Sequence, residues 1–202
     1  MSERTTFLRE FLRAPLTVGA VAPSGGPLAE LVTSPVTGEG DPLVVELGPG
    51  TGAFTEAVQR RLAGRGRHVA VEVNERFAER LAARFPQVEV VLADARELDR
   101  VLTERGCGRA DVIVSGLPWV AFRADVQDDL LASVTGALAP RGVFTTFGYS
   151  HTRWAPPARR LRSALGGRFE EFVASRTVWA NLPPAFTYFC RRPHVAAPAV
   201  SG

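Results

Sequence analysis

The 202-residue chain is long enough for one domain with a full layered core and too short for two large ones. A hydrophobic share of 46% and a charged share of 22% are ordinary for a globular protein, and no run approaches the roughly 20 apolar residues of a membrane-spanning helix. The net charge of +3 is carried by Arg alone, with no Lys and with heavy use of Ala, Gly and Pro, so it reads as compositional bias and not as a nucleic-acid signature.

Residues 3–13 predict a short amphipathic helix, with Phe7, Leu8, Phe11 and Leu12 on one face and Arg4, Arg9 and Arg13 elsewhere. The run Ala14 to Ala22 resembles the end of a secretory signal. Pro15 and Gly19 interrupt it and Glu10 stands in what would be its basic flank, so a cytoplasmic chain is expected. Cys107 and Cys190 suit a reducing compartment, and neither they nor His68, His151 and His194 have the spacing of a metal site. A second helix is expected from Pro27 or Leu28 to Val32, capped by Ser24 or a neighbour, before a polar loop at 33–42.

From there strand and helix alternate. Strands are predicted at Leu43–Leu47, His68–Val73, Val88–Ala93, Ala110–Val114, Gly142–Tyr149, Arg168–Val178 and Ala185–Arg192. Helices are predicted at Ala53–Ala63, Glu75–Phe85, Asp125–Leu138 and 157–166, with a short turn near Arg96–Glu104. The early strands are continuous apolar runs, as a parallel sheet covered on both faces requires. The last two strands, joined by Asn181-Leu182-Pro183-Pro184, predict an antiparallel hairpin at the sheet's edge, and residues 196–202 read as a loose tail.

The chemistry gathers at the strand ends. Gly48, Gly50 and Gly52 follow a buried strand and open a helix, with Pro49 and Thr51 between them. The spacing is G-x-G-x-G, and Ala53 stands where a dinucleotide fingerprint places its third glycine. Glu46, two residues before the loop, would repel a pyrophosphate and welcome a cationic ligand such as S-adenosylmethionine, which carries an ammonium and a sulfonium. Glu72, at the end of the second strand and followed by Val73, can accept from two ribose hydroxyls. Asp94 closes the third strand and can accept from an adenine amino group, with the Ala95 backbone beside it. Either acid alone reads equally well as a helix cap; the ordered set points to a cofactor crevice.

The fourth strand ends in Ser115-Gly116-Leu117-Pro118-Trp119, a turn whose carbonyls can orient an amine. Here the sequence resembles the bacterial, Rhodobacter-type phospholipid N-methyltransferases, and more distantly the rRNA adenine dimethyltransferases, which carry Asn-Leu-Pro-aromatic at this point. Ser115 and Gly116 favour the phospholipid group. So do Phe11-Leu12 with Pro15 and Val18–Ser24, Phe144–Ser150, and Val178–Ala185. The segment Trp119-Val120-Ala121-Phe122 departs from the family pattern, as do His151 and Trp154.

The resemblance implies a class I methyltransferase. Its fold would be α/β, a Rossmann-like sheet of about seven strands, mostly parallel with an antiparallel C-terminal hairpin and helices on both faces. Residues 1–195 would form one domain, with residues 1–35 as a helical lid or membrane-contacting segment. The cofactor would be S-adenosylmethionine, held by Glu46, Gly48, Gly50, Thr51, Gly52, Glu72, Val73, Asp94, Ala95 and Ser115, with no metal. The acceptor would be an amine, first a phospholipid headgroup such as phosphatidylethanolamine and second a small soluble amine, with nucleic acid disfavoured. Peripheral contact with an anionic membrane at its inner face follows from the lipid reading. Tyr149, His151 and Ser115 are the candidate catalytic residues. His151 reads more readily as an exposed loop residue, and Trp119 as either an aromatic wall or core.

Overall fold

The structure, a computed structural model, describes residues 25–194. The helix expected at 3–13, the Ser24 cap and the tail at 196–202 lie outside the described residues.

Seven strands form one sheet: β1 (Leu43–Leu47), β2 (Arg67–Glu72), β3 (Glu89–Leu92), β4 (Ala110–Ser115), β5 (Leu138–Tyr149), β6 (Phe169–Ala174) and β7 (Ala185–Pro193). Their order is β3-β2-β1-β4-β5-β7-β6. The first five pair in parallel, and β7 runs antiparallel to both β5 and β6. The antiparallel strand is therefore one place in from the edge, and β6 forms the edge itself. β6 is also shorter than the sequence suggests. At Ser175 the side-chain hydroxyl replaces a ladder carbonyl and accepts the Thr187 N–H at 2.9 Å, and only an isolated bridge from Val178 to Ala185 continues the pairing.

Six helices among the described residues flank the sheet, the first preceding β1 and the other five connecting strands: α1 (Gly26–Val32), α2 (Ala53–Leu62), α3 (Glu75–Arg84), α4 (Leu98–Glu104), α5 (Ala124–Ala137) and α6 (Pro156–Arg168). Their ends follow local chemistry. Pro27 lies in the first turn of α1, Asn74 caps α3 by accepting the Phe77 N–H at 3.3 Å, and Asp94 caps the 3-10 turn before α4. Leu98, Val101, Leu130, Val134, Leu161 and Leu165 bring α4, α5 and α6 onto one face of the sheet, against Val69, Ile113 and Phe144. On the other face α1 and α2 pack on Val44, Val112, Val114 and Ala185, and α3 packs on Ala70. Burying one such aliphatic side chain is worth about 1.5–3 kcal/mol, so both faces contribute to a single cooperative layer structure. No helix among the described residues is long and apolar enough to cross a membrane.

This order positions the site. β1 is flanked by β2 on one side and β4 on the other, so the direction in which the sheet is built reverses between β1 and β4. Ligands of open α/β sheets bind in the crevice at the carboxyl ends of such a pair. There the two strand ends touch. The Gly116 N–H donates to Leu47 O at 2.8 Å, and a Cβ at Gly116 would stand 2.6 Å from the Gly48 carbonyl oxygen. Gly116 is thus glycine for want of space.

Gly116→Ala should push the β4 turn away from the β1 loop and cost about 1–3 kcal/mol through overpacking. Thermal unfolding of the variant, with a midpoint equal to the wild type's as the contrary result, checks this.

Candidate functional site

The glycine loop leaves β1 through Gly48, whose N–H donates to Val71 O at 2.9 Å, and reaches α2 through Gly52 in the left-handed region at φ 87°. Between them Gly50 has φ +54° and nothing within 4 Å of where its Cβ would be. That open face is space a ligand can take. Thr51 is exposed, and its carbonyl accepts from Arg84 Nη1 at 3.2 Å, which ties the loop's outer edge to α3.

The three expected acids all lie at this edge, and each meets a different environment. Glu72 is only 2% exposed. Its Oε2 accepts the Gly50 N–H at 3.1 Å and its Oε1 accepts the Asn74 N–H at 2.9 Å, so the acid of β2 holds the glycine loop directly. Burial raises its pKa above the ordinary 4.5, against the pull of these backbone donors, and the Glu46 charge adds to the rise. Val73, beside it, packs partly buried against the α4–α5 side of the core.

Asp94 accepts from the Arg96 backbone N–H at 2.9 Å and from the Arg96 guanidinium at 3.1 and 2.6 Å. A carboxylate offers about four lone-pair sites, so one remains for a further donor. Ala95 is buried and its carbonyl accepts from Ser133 Oγ at 2.9 Å. A cavity of about 440 Å³ opens on the Arg96 side of Asp94, lined otherwise by Glu97, Asp129, Ala132 and Ser133; the glycine loop takes no part in it.

Glu46 lies beneath the loop, fully buried. Its Oε2 accepts from Thr55 Oγ1 at 2.7 Å, and His68 Nε2 stands 3.2 Å away without hydrogen-bond alignment. The Gln59 amide, a donor, is 2.9 Å from His68 Nδ1, which leaves the imidazole proton on Nε2, facing the carboxylate. Glu46 Oε1 has no partner, an acceptor left over in a place where unpaired charge is costly. Thr55, Gln59 and His68 are neighbours of this acid that motif reading passes over. The signal that finds them is Thr55, three positions after Gly52 in the first turn of α2.

At the fourth strand, Ser115 is fully buried, and its Oγ accepts from Trp119 Nε1 at 3.0 Å and the Leu117 N–H at 3.3 Å. Trp119 is 1% exposed in the core, so its role is packing and not an acceptor wall. The Gln127 amide donates to Trp119 O at 2.5 Å and Arg160 donates to Gln127 Oε1 at 3.3 Å, which fastens the turn to α5 and α6. Ser115 therefore braces the turn from inside.

The end of β5 supplies the aromatic surface. Phe54, Phe147, Tyr149 and His151 form a continuous row, edge-on at 5.7 and 5.6 Å and then stacked at 5.8 Å. The row starts two residues after Gly52 and ends at the exposed His151. Tyr149 is half-buried, and burial raises its phenol pKa above 10, so the phenol keeps its proton at neutral pH. Asn181, 4% exposed, accepts the Gly25 N–H on Oδ1 at 2.8 Å and donates to Pro183 O at 2.7 Å, so its turn holds the start of α1.

Residues 44–142 match the model of a methyltransferase domain family. The chain is 33% identical over 194 residues to the ornithine lipid N-methyltransferase of Singulisphaera acidiphila, with 95% of this chain and 97% of the relative covered. Among solved structures it resembles an O-methyltransferase of tomaymycin synthesis from Streptomyces achromogenes, at TM-score 0.67 and 17% identity over 95% of this chain and 90% of that one. It also resembles the magnesium protoporphyrin IX methyltransferase of Synechocystis, at TM-score 0.61 and 11% identity over 94% and 98% of the two chains.

A raised Glu72 pKa means the native state holds a proton that the unfolded chain releases, so this group's contribution to stability is lost as pH rises above 4.5. Glu72→Gln removes that dependence. In urea unfolding, the wild type's stability relative to the variant should shrink as the pH is raised from 4.5; a constant difference would contradict it.

Proposed function

The chain belongs to the class I S-adenosylmethionine-dependent methyltransferases, and from that premise we propose that it methylates the amine nitrogen of a lipid headgroup. The observation that carries this reading is the 33% identity, across 95% of the chain, to a protein named for N-methylation of an ornithine lipid. Phosphatidylethanolamine and ornithine lipid both offer an amine nitrogen for the methyl.

The residues present fit S-adenosylmethionine. The open face at Gly50 accommodates a ligand against the loop backbone, and the acceptors around it suit a ligand rich in donors. Glu72 would receive the ribose hydroxyls, exchanging its bond to Gly50 for them. Val73 would flank the adenine, and Asp94, with the Ala95 N–H, would bond its edge. Gly48, Gly50, Thr51 and Gly52 would cradle the amino-acid end, and the unpartnered Oε1 of Glu46 would offset its ammonium through the loop. When bound, the cofactor supplies an electrophilic methyl on a sulfonium.

The protein's own part is to present a neutral amine in line with that methyl and to exclude water around it. The turn Ser115–Pro118 offers backbone carbonyls to the amine, and Ser115 holds the turn in place through Trp119. Tyr149, kept protonated by burial, orients the amine by hydrogen bonding and is not its base. His151, exposed and stacked on Tyr149, takes the released proton toward solvent. Aromatic faces at Phe147 and Tyr149 favour the methylated cation by about 0.5–2 kcal/mol. Of the segment that departs from the family pattern, Trp119 and Phe122 are 1% and 2% exposed, so these two residues alter the core.

Labelled cofactor offered with aminolipid micelles and, separately, with a soluble amine extract decides the acceptor: label should enter the lipid amine. Absence of label from every aminolipid, while calorimetry registers cofactor binding, would remove the reading. Tyr149→Phe should lower kcat about tenfold or more and leave cofactor affinity unchanged.

A further inference from the structure

Trp154, Trp179 and Leu182 are the most exposed of the large hydrophobic side chains among the described residues, at 71%, 78% and 80%. They come from two segments, residues 150–155 after β5 and 175–184 before β7, and both lie at the sheet edge that carries Tyr149. The segments are tied together. The Ser150 N–H donates to Pro184 O at 2.8 Å, Ser150 Oγ is 3.3 Å from Thr177 Oγ1, and the Val178 N–H donates to Ala185 O at 2.6 Å. The three apolar side chains therefore stand on one fastened rim. Exposed aromatic residues grouped in this way mark an interaction surface.

The charge of the rim has one sign. Residues 150–155 contain Arg153, residues 175–184 contain Arg176, and α6, which follows the first segment, contains Arg159, Arg160, Arg162 and Arg168; none of the three stretches holds an Asp or Glu, in a chain with 21 of them. Arg160 and Arg168 turn to Gln127 and Asp128 on α5. Arg159, Arg162 and Arg176 are exposed, and Arg153 lies over the rings of Trp154 and Phe186 at 5.6 and 5.3 Å. Gly25 is bonded to Asn181, between Trp179 and Leu182, which fastens the start of α1 to the same segment.

We propose that this rim docks the protein on an anionic phospholipid bilayer, with Trp154, Trp179 and Leu182 at the headgroup–acyl boundary and Arg153, Arg159, Arg162 and Arg176 on lipid phosphates. Indole rings favour that boundary because they join an apolar body to a polar N–H, and arginine forks match phosphate oxygens. Charge complementarity selects an anionic surface. The rim deepens the lipid reading above and rests on it for its purpose: docked this way, the protein turns the Tyr149 edge toward the headgroups.

The test uses the full chain and vesicles of phosphatidylcholine with phosphatidylglycerol, which contain no acceptor amine. The wild type should sediment with them, weakly with phosphatidylcholine alone, and its tryptophan fluorescence should be quenched by acyl-brominated lipid. The double variant W154A/W179A retains only the buried Trp119. It should bind about tenfold or more weakly, with its cofactor affinity and unfolding midpoint kept. The variant L182S, tested alone, should weaken binding in the same direction. Unchanged vesicle binding by the double variant, or wild-type fluorescence untouched by brominated lipid, would overturn the rim. Normal vesicle binding with no methylated aminolipid would remove the lipid acceptor and leave the rim standing. Methylation of micellar lipid by a protein whose rim variants bind vesicles normally would do the reverse.

Discussion

The architecture depends on how closely two strand ends approach. The Leu47 carbonyl receives the Gly116 N–H, and the Gly48 carbonyl lies where any side chain at position 116 would have to begin. Two loops to which the proposed function assigns different ends of one reaction, the cofactor at the β1 loop and the acceptor at the β4 turn, are thereby held at backbone contact. Interactions elsewhere keep that approach in place. Leu117 fills the space next to Gly48, Ser115 anchors the turn below, and the Trp119–Gln127–Arg160 chain ties it to two helices on the far face.

A second layer of control is electrostatic. Three carboxylates end, or nearly end, three adjacent parallel strands, a concentration of negative charge that burial makes expensive. Each meets the cost differently. Glu72 takes backbone donors and keeps a raised proton affinity, Asp94 takes a forked guanidinium, and Glu46 takes a threonine hydroxyl with an imidazole close by. The residual imbalance is greatest nearest the glycine loop, where a cationic ligand would relieve it. This is the sense in which the crevice is prepared for a ligand with an ammonium and a sulfonium and not for a pyrophosphate.

Much of this was legible in the chain. Continuous apolar strands, G-x-G-x-G after the first of them, and acids at fixed places are local signals, and they yielded β1 to its residue bounds and the other parallel strands to within a few residues. What was not legible depends on contacts between distant segments. Ser115 reads as a catalytic candidate and Trp119 as either an aromatic wall or core, and the choice is made by distant residues: the indole turns inward to bond the serine, with Phe122, Phe144 and Gln127 around it. The aromatic row from Phe54 to His151 joins residues nearly a hundred positions apart, and no periodicity announces it. The placement of β7 between β5 and β6 was equally hidden, since hairpin neighbours in sequence say nothing about which of them meets a third strand. The hydrophobicity of Trp179 and Leu182 was visible throughout; their exposure was not.

The bond from Gly25 to Asn181 spans 156 positions, and α1 packs its Leu28 and Val32 in a cluster that includes Ala185 of β7. Translation delivers α1 before any strand of the sheet, its first hold soon after, where Arg60 and Arg61 of α2 meet Glu30, and its second, at Asn181, only after β6. A seven-residue helix is too short to persist in water on its own, so its order rests on these two holds. The final hairpin then acts as a latch. A chain truncated before Asn181 would lose β7, and with it the strand that covers the open edge of β5.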